Sequence, residues 1–356
     1  MPGEPQQGDE PDLIRTDYEN LESPEWWKAH QLEGVVLYAW GRPKFRKVAR
    51  AIREAGVFLV LNQDNGGLVS PLAGPGGWWR EQWILAGAGR GPGSWFRFGK
   101  LVGHGLTAGL LATDPLRARH LKHGHVVACV SPVAAGHYRR LCRIYGGRDL
   151  ADRVMVIPHA VEPHFRFSGE AKQRQVVCVG RWDDPVQKRA WLMMKVFARL
   201  LRLDFEVTVA IAGQTTPELD HWRNALPGPQ RERVRLLGKL DRAELAETLI
   251  HSRVFYSPSA FESFGIAAAE ALCSGCSVVA ERSVSMSAFE WFVSENSGTL
   301  SDSKNPAAHA LAIEEELKRW EAGERDAHGI SEHWSTRLHA LEVAAAILRL
   351  REQPCS

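Results

Sequence analysis

The chain has 356 residues, of which 44% are hydrophobic and 24% are charged, and its formal net charge is +2. This composition is typical of folded globular proteins and excludes a disordered or fibrous chain, and the length accommodates two ordinary domains. The nearly balanced charge excludes the strongly basic field that drives nucleic-acid binding. No apolar run reaches the roughly 18 residues that span a bilayer.

Residues 1–33 are predicted to form a polar N-terminal extension. They begin with acidic and polar residues (GEPQQGDEPD) and lack the basic start and apolar middle of a signal peptide. We therefore expect a cytoplasmic protein.

Residues 34–165 are predicted to form a first α/β domain. Amphipathic patterns indicate helices at 43–55 and 132–145. The segment 65–103 is rich in Gly, Pro and Trp, which favours loops and short helices. Short apolar, β-branched runs indicate strands at 34–40, 57–62, 126–131 and 154–158.

Residues 166–330 are predicted to form a second α/β domain, and residues 331–356 a terminal segment with one helix at 333–351. The alternation of strands and helices predicts parallel sheets in two Rossmann-like domains, with a ligand at the carboxyl ends of the strands. The second domain's strands are predicted at 176–180, 206–213, 234–238, 253–258 and 277–281. Its helices are predicted at 188–203, 217–225, 241–251, 265–274 and 306–321.

The strongest functional pattern is PSAFESFGIAAAEAL, directly after the predicted strand 253–258. A helix that begins near Gly265 or Ile266 offers unpaired amides to a diphosphate or a sugar oxygen. Glu262 and Glu270 flank this turn, and in a helix they would lie roughly 12 Å apart along the axis. We expect them to contact different parts of one long ligand. The alternatives are a helix-dipole partner for Glu262 and a solvent-facing residue for Glu270.

A second pattern places Gly180 and Arg181 after the strand 176–180, with Lys188 seven residues further on. A guanidinium and an ammonium at the end of a strand can neutralise a diphosphate leaving group. They would then stabilise the charge that develops as the bond to it breaks. The alternative is a pair of surface cations that cap a turn.

Together these segments resemble retaining GT-B glycosyltransferases of family four, the glycosyltransferase group 1 type. ESFGIAAAE resembles the family's Glu-x7-Glu motif, and GRWDDPVQK its Gly-Arg…Lys phosphate clamp. VRLLGKLDRAELAETL resembles the loop and helix beside the nucleobase. VSPVAAGHYRRL and VIPHAV resemble the segments that close the first lobe, the latter matching Ile-Pro-Asn-Gly-Val. HWSTRLHALEVAAAIL resembles the terminal helix that crosses back, so the resemblance extends from about residue 125 to the end.

The resemblance implies a retaining transfer from a nucleotide-diphosphate sugar, with no metal and no other cofactor. The departing diphosphate oxygen would help to deprotonate the acceptor, which would be a saccharide or a lipid-linked molecule in the first lobe. The resemblance implies that Arg181 and Lys188, beside Gly180, hold the diphosphate, and that Glu262 and the amides of Phe264 and Gly265 bind the sugar. The Ile266 amide would lie near phosphate, Glu270 would bind the ribose, and the backbone near Gly238 and Lys239 would flank the base. Ser263 is a further implied donor-binding residue.

The first domain departs from the family pattern. No strand with a Gly-Gly loop precedes residue 34, which predicts an abbreviated domain. Trp40 stands where a histidine is common, and Asp64 where a catalytic-site histidine is expected. Asp64 would accept a hydrogen bond from the donor hexose or brace the Asn65-Gly66-Gly67 turn, and His104 is a competing candidate. The alternative function is a non-catalytic nucleotide-sugar-binding protein with a decayed acceptor lobe.

The segment 77–100 combines aromatic residues with Arg80, Arg97 and Lys100. It would pack as core, stack on an acceptor, or make peripheral contact with a membrane. The histidines of HLKHGH are expected to be solvated turn residues. The Cys273–Cys276 pair lacks a second pair at zinc-site spacing, and no metal site is predicted. The aromatic residues of the segment are Trp78, Trp79, Trp83, Trp95, Phe96 and Phe98.

Overall fold

Two parallel β-sheets, each flanked by helices, organise the chain in the computed structural model, which describes residues 12–39, 41–89, 91–294 and 296–352. The first lobe contains α1 (Tyr18–Leu21), α2 (Pro24–Ala29), β1 (Gly34–Tyr38), a 3₁₀ turn (Pro43–Phe45), α3 (Arg46–Glu54), β2 (Phe58–Gln63), α4 (Pro75–Leu85), α5 (Ser94–His104), a π-helical segment (Gly105–Thr113), α6 (Asp114–Leu121), β3 (Val126–Cys129), α7 (Pro132–Gly146), α8 (Arg148–Asp152) and β4 (Val154–Val156).

The first sheet has the parallel order β1-β2-β3-β4. Val60 on the second strand lies opposite Val36 and Val126 on its neighbours. Because successive side chains point to opposite faces of a strand, Leu59 and Leu61 pack on the other face. That face lies against α2, α3 and α7 in a buried cluster that includes Trp27. The second half of the N-terminal segment is therefore packed on the first lobe.

The second lobe follows from residue 173. It contains β5 (Gln173–Val179), α9 (Ala190–Leu203), β6 (Thr208–Ala212), α10 (Pro217–Ala225), α11 (Gly228–Arg231), β7 (Val234–Gly238), α12 (Arg242–His251), β8 (Ser252–Ser257), α13 (Ile266–Cys273), β9 (Ser277–Glu281), α14 (Phe289–Phe292), β10 (Gly298–Ser301) and α15 (Pro306–Glu321).

The second sheet is also parallel, in the order β10-β9-β8-β5-β6-β7. The chain moves from β5 outward to β7 and then returns to the other side of β5 with β8. This reversal opens a crevice at the carboxyl ends of β5 and β8, which is where ligands bind in open α/β sheets. The prediction of two parallel-sheet, Rossmann-like lobes with a smaller first sheet is confirmed.

Several helices of the second lobe begin where the sequence supplies a capping side chain. The Thr216 side chain accepts a bond from the Leu219 amide, and Asp241 and Glu244 form a reciprocal capping box. In α9, Leu192, Val196 and Leu200 share one face at four-residue spacing and are fully buried on the sheet.

The predicted single helix at 333–351 is wrong, because the chain forms α16 (Ala327–Leu338) and α17 (Ala340–Glu352) with a break at His339. Val161 causes the break by pairing with the chain on both sides of it. The Val161 amide donates to the Leu338 carbonyl at 2.7 Å, and the Ala340 amide donates to the Val161 carbonyl at 3.0 Å.

The two terminal helices pack on different lobes. Trp334 of α16 is buried against the second lobe, whereas Val343 of α17 is buried against Val60 and Val126 of the first sheet. The segment predicted as loops and short helices contains α4 and α5, of eleven residues each, and β10 was missed. No helix in the described ranges has the length and apolar character to cross a bilayer.

Candidate active site

A cleft of about 320 Å³ lies at the crevice of the second sheet and faces the carboxyl ends of β2 and β4 in the first lobe. It gathers most of the residues singled out in the sequence. The predicted residues that line it are Asp64, Arg181, Lys188, Glu262, Ser263, Phe264, Gly265 and Ile266.

An ion pair between Lys188 and Glu262 lies in this cleft. The Lys188 ammonium donates to Oε1 of Glu262, and both side chains are largely buried. Ser259 donates to the same oxygen at 2.8 Å, and Gln187 donates to Oε2 at 3.3 Å. The carboxylate is therefore held in one orientation inside the cleft.

Arg189 supports the loop that carries Glu262, and sequence reasoning missed it. The residue adopts a left-handed backbone conformation (φ 45°) and is buried. Its guanidinium donates to the carbonyls of Pro258 and Ser259 at 2.5 and 2.6 Å and to Glu281 at 2.8 Å. Arg80 of α4 donates to the other Glu281 oxygen at 2.7 Å, which connects the first lobe to this support. The only signal in the sequence was the Lys-Arg doublet itself.

Arg181 occupies the solvent edge of the cleft. Its side chain is 73% exposed and lies 3.4 Å from the Gln187 oxygen and 3.8 Å from Asp184. An exposed guanidinium with weak local contacts can reorient toward an anion that enters the cleft. Gly180 immediately precedes it, at the end of β5.

The turn at Gly265 presents backbone amides to the cleft. Gly265 has φ of 84°, and a Cβ at this position would lie 2.8 Å from the Phe289 ring, so the turn requires glycine. No side chain caps α13, and the first amides of a helix have no acceptor within it. The amides of Ile266 and Ala267 therefore form an anion-binding end that lines the cleft.

Glu270 lies one turn into α13 and is buried, at 3% exposure, so the alternative of a solvent-facing residue is wrong. Arg242 donates to its Oε1 and also pairs with Glu162 at 3.2 Å. Burial raises the pKa of Glu270 to about 7. Glu270 does not line the cleft itself. Gly180, which follows β5, and Gly238 and Lys239, at the end of β7, do not line it either.

The first lobe contributes an Asp-His pair. Oδ1 of Asp64 lies 2.8 Å from Nε2 of His159 and accepts a longer bond of 3.5 Å from the Ser263 hydroxyl across the cleft. The His159 ring packs edge-on against Phe264, with ring centroids 5.3 Å apart. The Asn65 side chain, which accepts from the Gly67 amide at 3.0 Å, holds the turn after Asp64.

Sequence reasoning missed His159. Its signal was VIPHAV, where histidine replaces the asparagine of the family segment. The competing candidate His104 ends α5, is exposed, and is absent from the lining of the cleft. Trp40 lies outside the described residues.

The cysteine and histidine patterns that were considered as metal ligands contain buried side chains. Cys273 and Cys276 are buried free thiols, whereas Cys355 lies outside the described residues. The prediction of solvated histidines is wrong for His120, which is fully buried. Within the described ranges, three side chains that could share a metal ion are Glu170, Glu247 and His251, and none of them lines the cleft.

Residues 173–319 match the model of the family described as Glycosyl transferases group 1. This is less than half of the chain, but it contains Arg181, Lys188, the loop of Glu262 and α13. The match therefore lies within the second lobe. No curated protein matches the chain in sequence.

Several solved structures share the architecture. Anabaena HepE in complex with UDP has a TM-score of 0.60 and 16% identity over 90% of this chain and 79% of its own. Sucrose-phosphate synthase from Thermosynechococcus elongatus has a TM-score of 0.60 and 16% identity over 96% and 81%. S. aureus TarM has a TM-score of 0.51 and 16% identity, and this chain covers 68% of itself and 46% of TarM. The fold is GT-B.

Proposed function

We propose that the protein transfers a hexose from a nucleotide-diphosphate sugar to an acceptor hydroxyl, with retention of anomeric configuration and without a metal ion or other cofactor. The observation that carries this proposal is the Lys188–Glu262 pair beside the amide-rich turn at Gly265. It lies at the crevice of a lobe that matches a glycosyltransferase domain.

Each part of the cleft fits one part of such a donor. Lys188 lies at the inner end and Arg181 at the solvent edge, so a diphosphate between them would meet two cations and the first amides of α13. Glu262 would accept hydrogen bonds from sugar hydroxyls beside the amides of Phe264 and Gly265. Lys188 and the α13 amides are oriented before the ligand arrives, and only Arg181 would have to reorient, so they would stabilise the leaving group's growing charge with little rearrangement.

The ribose end requires one rearrangement. Glu270 is engaged by Arg242, which comes from α12 and is itself more than half exposed. When Arg242 moves toward solvent, the Glu270 carboxylate can accept from ribose hydroxyls, with the base beside Gly238 and Lys239. HepE has been solved with UDP and glucose, which supports a nucleotide-sugar donor for a similar fold.

The charges that the cleft supplies support a transfer without a metal, and retention is proposed from the resemblance to the family. Lys188 and Arg181 provide the positive charge that a divalent cation would otherwise bring to the diphosphate. The oxygens of Glu262 are already engaged by Lys188, Ser259 and Gln187, so the proposal assigns it no proton transfer. In the proposed step the bond from the anomeric carbon to the phosphate oxygen breaks, the bond to the acceptor oxygen forms on the same face, and the acceptor's proton passes to the departing phosphate. NMR of the first-formed product, with and without EDTA, tests both properties.

The acceptor would enter from the first lobe, opposite the donor. Asp64 and His159 are the polar groups on that side of the cleft, and a saccharide or lipid-linked hydroxyl would approach past them. S. aureus TarM has been solved with UDP and alpha-GlcNAc-glycerol, so a similar fold holds a nucleotide together with a glycoside.

The site is tested by the substitutions Glu262→Ala and Lys188→Ala. We expect each to lower transfer or donor hydrolysis about 100-fold or more, because each removes a group aimed at the reacting sugar phosphate. Glu247→Ala and Lys318→Ala are matched controls, since both side chains are exposed on the same lobe. If both site variants keep most of the wild-type turnover, the assignment of the site is wrong.

The abbreviated first sheet favours a second candidate, a non-catalytic nucleotide-sugar-binding protein. Thermal-shift measurement across UDP-, GDP- and ADP-sugars separates the two, because a ligand that binds the native state raises its stability. A stabilising nucleotide-sugar that is neither hydrolysed nor transferred would establish the binding protein instead of the enzyme.

A further inference from the structure

Exposed apolar side chains concentrate on one continuous segment of the first lobe. Helix α5 runs directly into the π-helical segment, so residues 94–113 form one helical rod. Trp95 is 73% exposed, Phe96 80% and Leu111 82%. Trp79 and Leu106 are also exposed beside them. Trp95 and Phe96 are adjacent in the chain, and large apolar side chains exposed together in this way mark an interaction site in a folded protein.

Only part of the aromatic segment is explained by core packing. Trp78 is buried, and Trp83 packs against Phe98 with ring centroids 5.3 Å apart. Trp95 contacts Trp83 at a centroid distance of 4.5 Å but keeps most of its surface in solvent. Phe96 is the next residue on the helix and projects on the exposed side. The inner aromatics therefore form a base beneath Trp95, while Phe96 lies in solvent beside it.

The charge of the same segment is entirely positive. The chain has 42 acidic residues, yet none falls between Gln82 and Thr113, where three basic residues occur. The exposed cations Arg97 and Lys100 lie on α5 with the two aromatics. Of the two acidic residues that border the segment, Asp114 is buried and Glu81 is half-buried. Asp114 is bonded to Arg117 at 2.6 Å, and burial raises the pKa of Glu81 to about 7.

We propose that α5 and the π-helical segment, residues 94–113, bind the surface of a lipid bilayer that contains anionic lipids. Trp, Phe and Leu side chains insert at the level of the headgroups, while flanking Lys and Arg side chains contact lipid phosphates. A second copy of the chain is disfavoured as the partner, because the two surfaces would carry the same positive charge.

Packing contacts and one ion pair connect this surface to the cleft. α4 packs against α5 through the aromatic cluster, and Arg80 of α4 is bonded to Glu281 beside the loop of Glu262. A bilayer bound at α5 would therefore lie against the lobe that the proposed acceptor enters. Lipid binding itself does not depend on the proposed transfer reaction.

The test is co-sedimentation of the full chain with vesicles of phosphatidylcholine alone and of equimolar phosphatidylcholine and phosphatidylglycerol. We expect binding to the anionic vesicles and a loss of affinity of about tenfold or more for the Trp95→Ala/Phe96→Ala double variant. Lys100→Glu should weaken binding several-fold at low salt and less at high salt. Phe205→Ala is the matched control, since Phe205 is 81% exposed on the second lobe.

Three results would overturn the proposal. These are no sedimentation with either vesicle, equal binding to neutral and anionic vesicles, and wild-type binding by the double variant. Lipid-free dimerisation that the double variant abolishes would assign the surface to a second copy instead.

Unchanged thermal unfolding shows that the variants are folded. Donor binding and hydrolysis in solution should be unaffected by the double variant, so that failure of lipid binding and failure of the proposed enzymatic function are separately visible.

Discussion

At the scale of single residues, the Asp64–His159 pair shows that the first lobe, as well as the second, contributes polar side chains to the cleft. The two residues are 95 positions apart in sequence and lie 2.8 Å apart in space. Asp64 also accepts from Ser263 of the second lobe. The pair is therefore placed to contact the reacting sugar or acceptor when the lobes enclose them.

His159→Ala should lower the rate of transfer about 100-fold, because an oriented polar group at the reacting centre is lost. Donor affinity should change little, since Lys188, Arg181 and the amides of α13 remain. Measurement of kcat and of donor binding by calorimetry separates these effects. His328→Ala, at an exposed position, is the control. A normal kcat in the His159 variant would exclude a role in the reaction.

Glu270 predicts a pH dependence whose sign follows from its burial. Its folded pKa of about 7 lies above the ordinary value of 4.5, so the folded chain binds this proton more tightly than the unfolded chain. The stability that Glu270 contributes is present below pH 4.5 and is lost as pH rises to about 7. The difference amounts to about 3 kcal/mol at most.

The variant Glu270→Gln should lack this dependence. The free energy of unfolding of the variant minus that of the wild type should therefore be larger at pH 8 than at pH 5. Urea denaturation of both proteins at the two pH values measures this difference. Parallel changes in the two proteins would contradict the assignment. Donor affinity of the wild type should increase through the same range, because a ribose hydroxyl requires the ionised carboxylate as its acceptor.

At the scale of elements, the sequence predicts helices well where capping residues mark their ends and poorly where a distant contact decides. Thr216, Asp241 and Asn305 precede helices of the second lobe, and each caps the helix that follows it. By contrast, the region around His339 has no proline or glycine, and its helical pattern continues unbroken. Only the pairing with Val161 ends α16, and no local signal reports it.

The missed strand has a similar cause. Gly298–Ser301 has four residues and a single large apolar side chain, so no strand period is visible. It becomes a strand because β9 offers it a free edge. In the same way, the sequence identified Glu262 and Lys188 through local motifs, whereas Arg189, His159 and the Arg242–Glu270 contact depend on pairings that form only in the folded chain.

The turn that starts α13 depends on one glycine. Gly265→Ala should destabilise the chain by about 2 kcal/mol, because it combines a left-handed backbone with a contact to the Phe289 ring. It should also weaken donor binding, since the first amides of the helix must shift.

Gly136→Ala is the matched control. Gly136 lies inside α7 with nothing within 4 Å of an added Cβ, so the change should stabilise by about 0.5 kcal/mol. Equal effects of the two changes on stability and donor affinity would contradict this account.

At the scale of the whole molecule, α17 makes the first lobe depend on the end of the chain. One face of the first sheet packs against the lobe's own helices, but the residues Val60, Val126 and Ala128 on the opposite face are covered by α17. The resemblance to GT-B enzymes implied that a terminal helix crosses back. Its energetic role is visible only in the structure, where it replaces a helix layer that the first lobe does not supply.

Val343→Asp tests this dependence, because Val343 is 7% exposed and lies between α17 and the first sheet. Burial of a carboxylate there should lower the free energy of unfolding by about 3 kcal/mol. The first lobe should then unfold at lower urea than the second, which resolves two transitions by tryptophan fluorescence and circular dichroism. Leu341→Asp on the same helix is the control, since Leu341 is 76% exposed and its replacement should change stability by less than about 0.5 kcal/mol. If both variants unfold like the wild type, the first sheet does not need α17 as its cover.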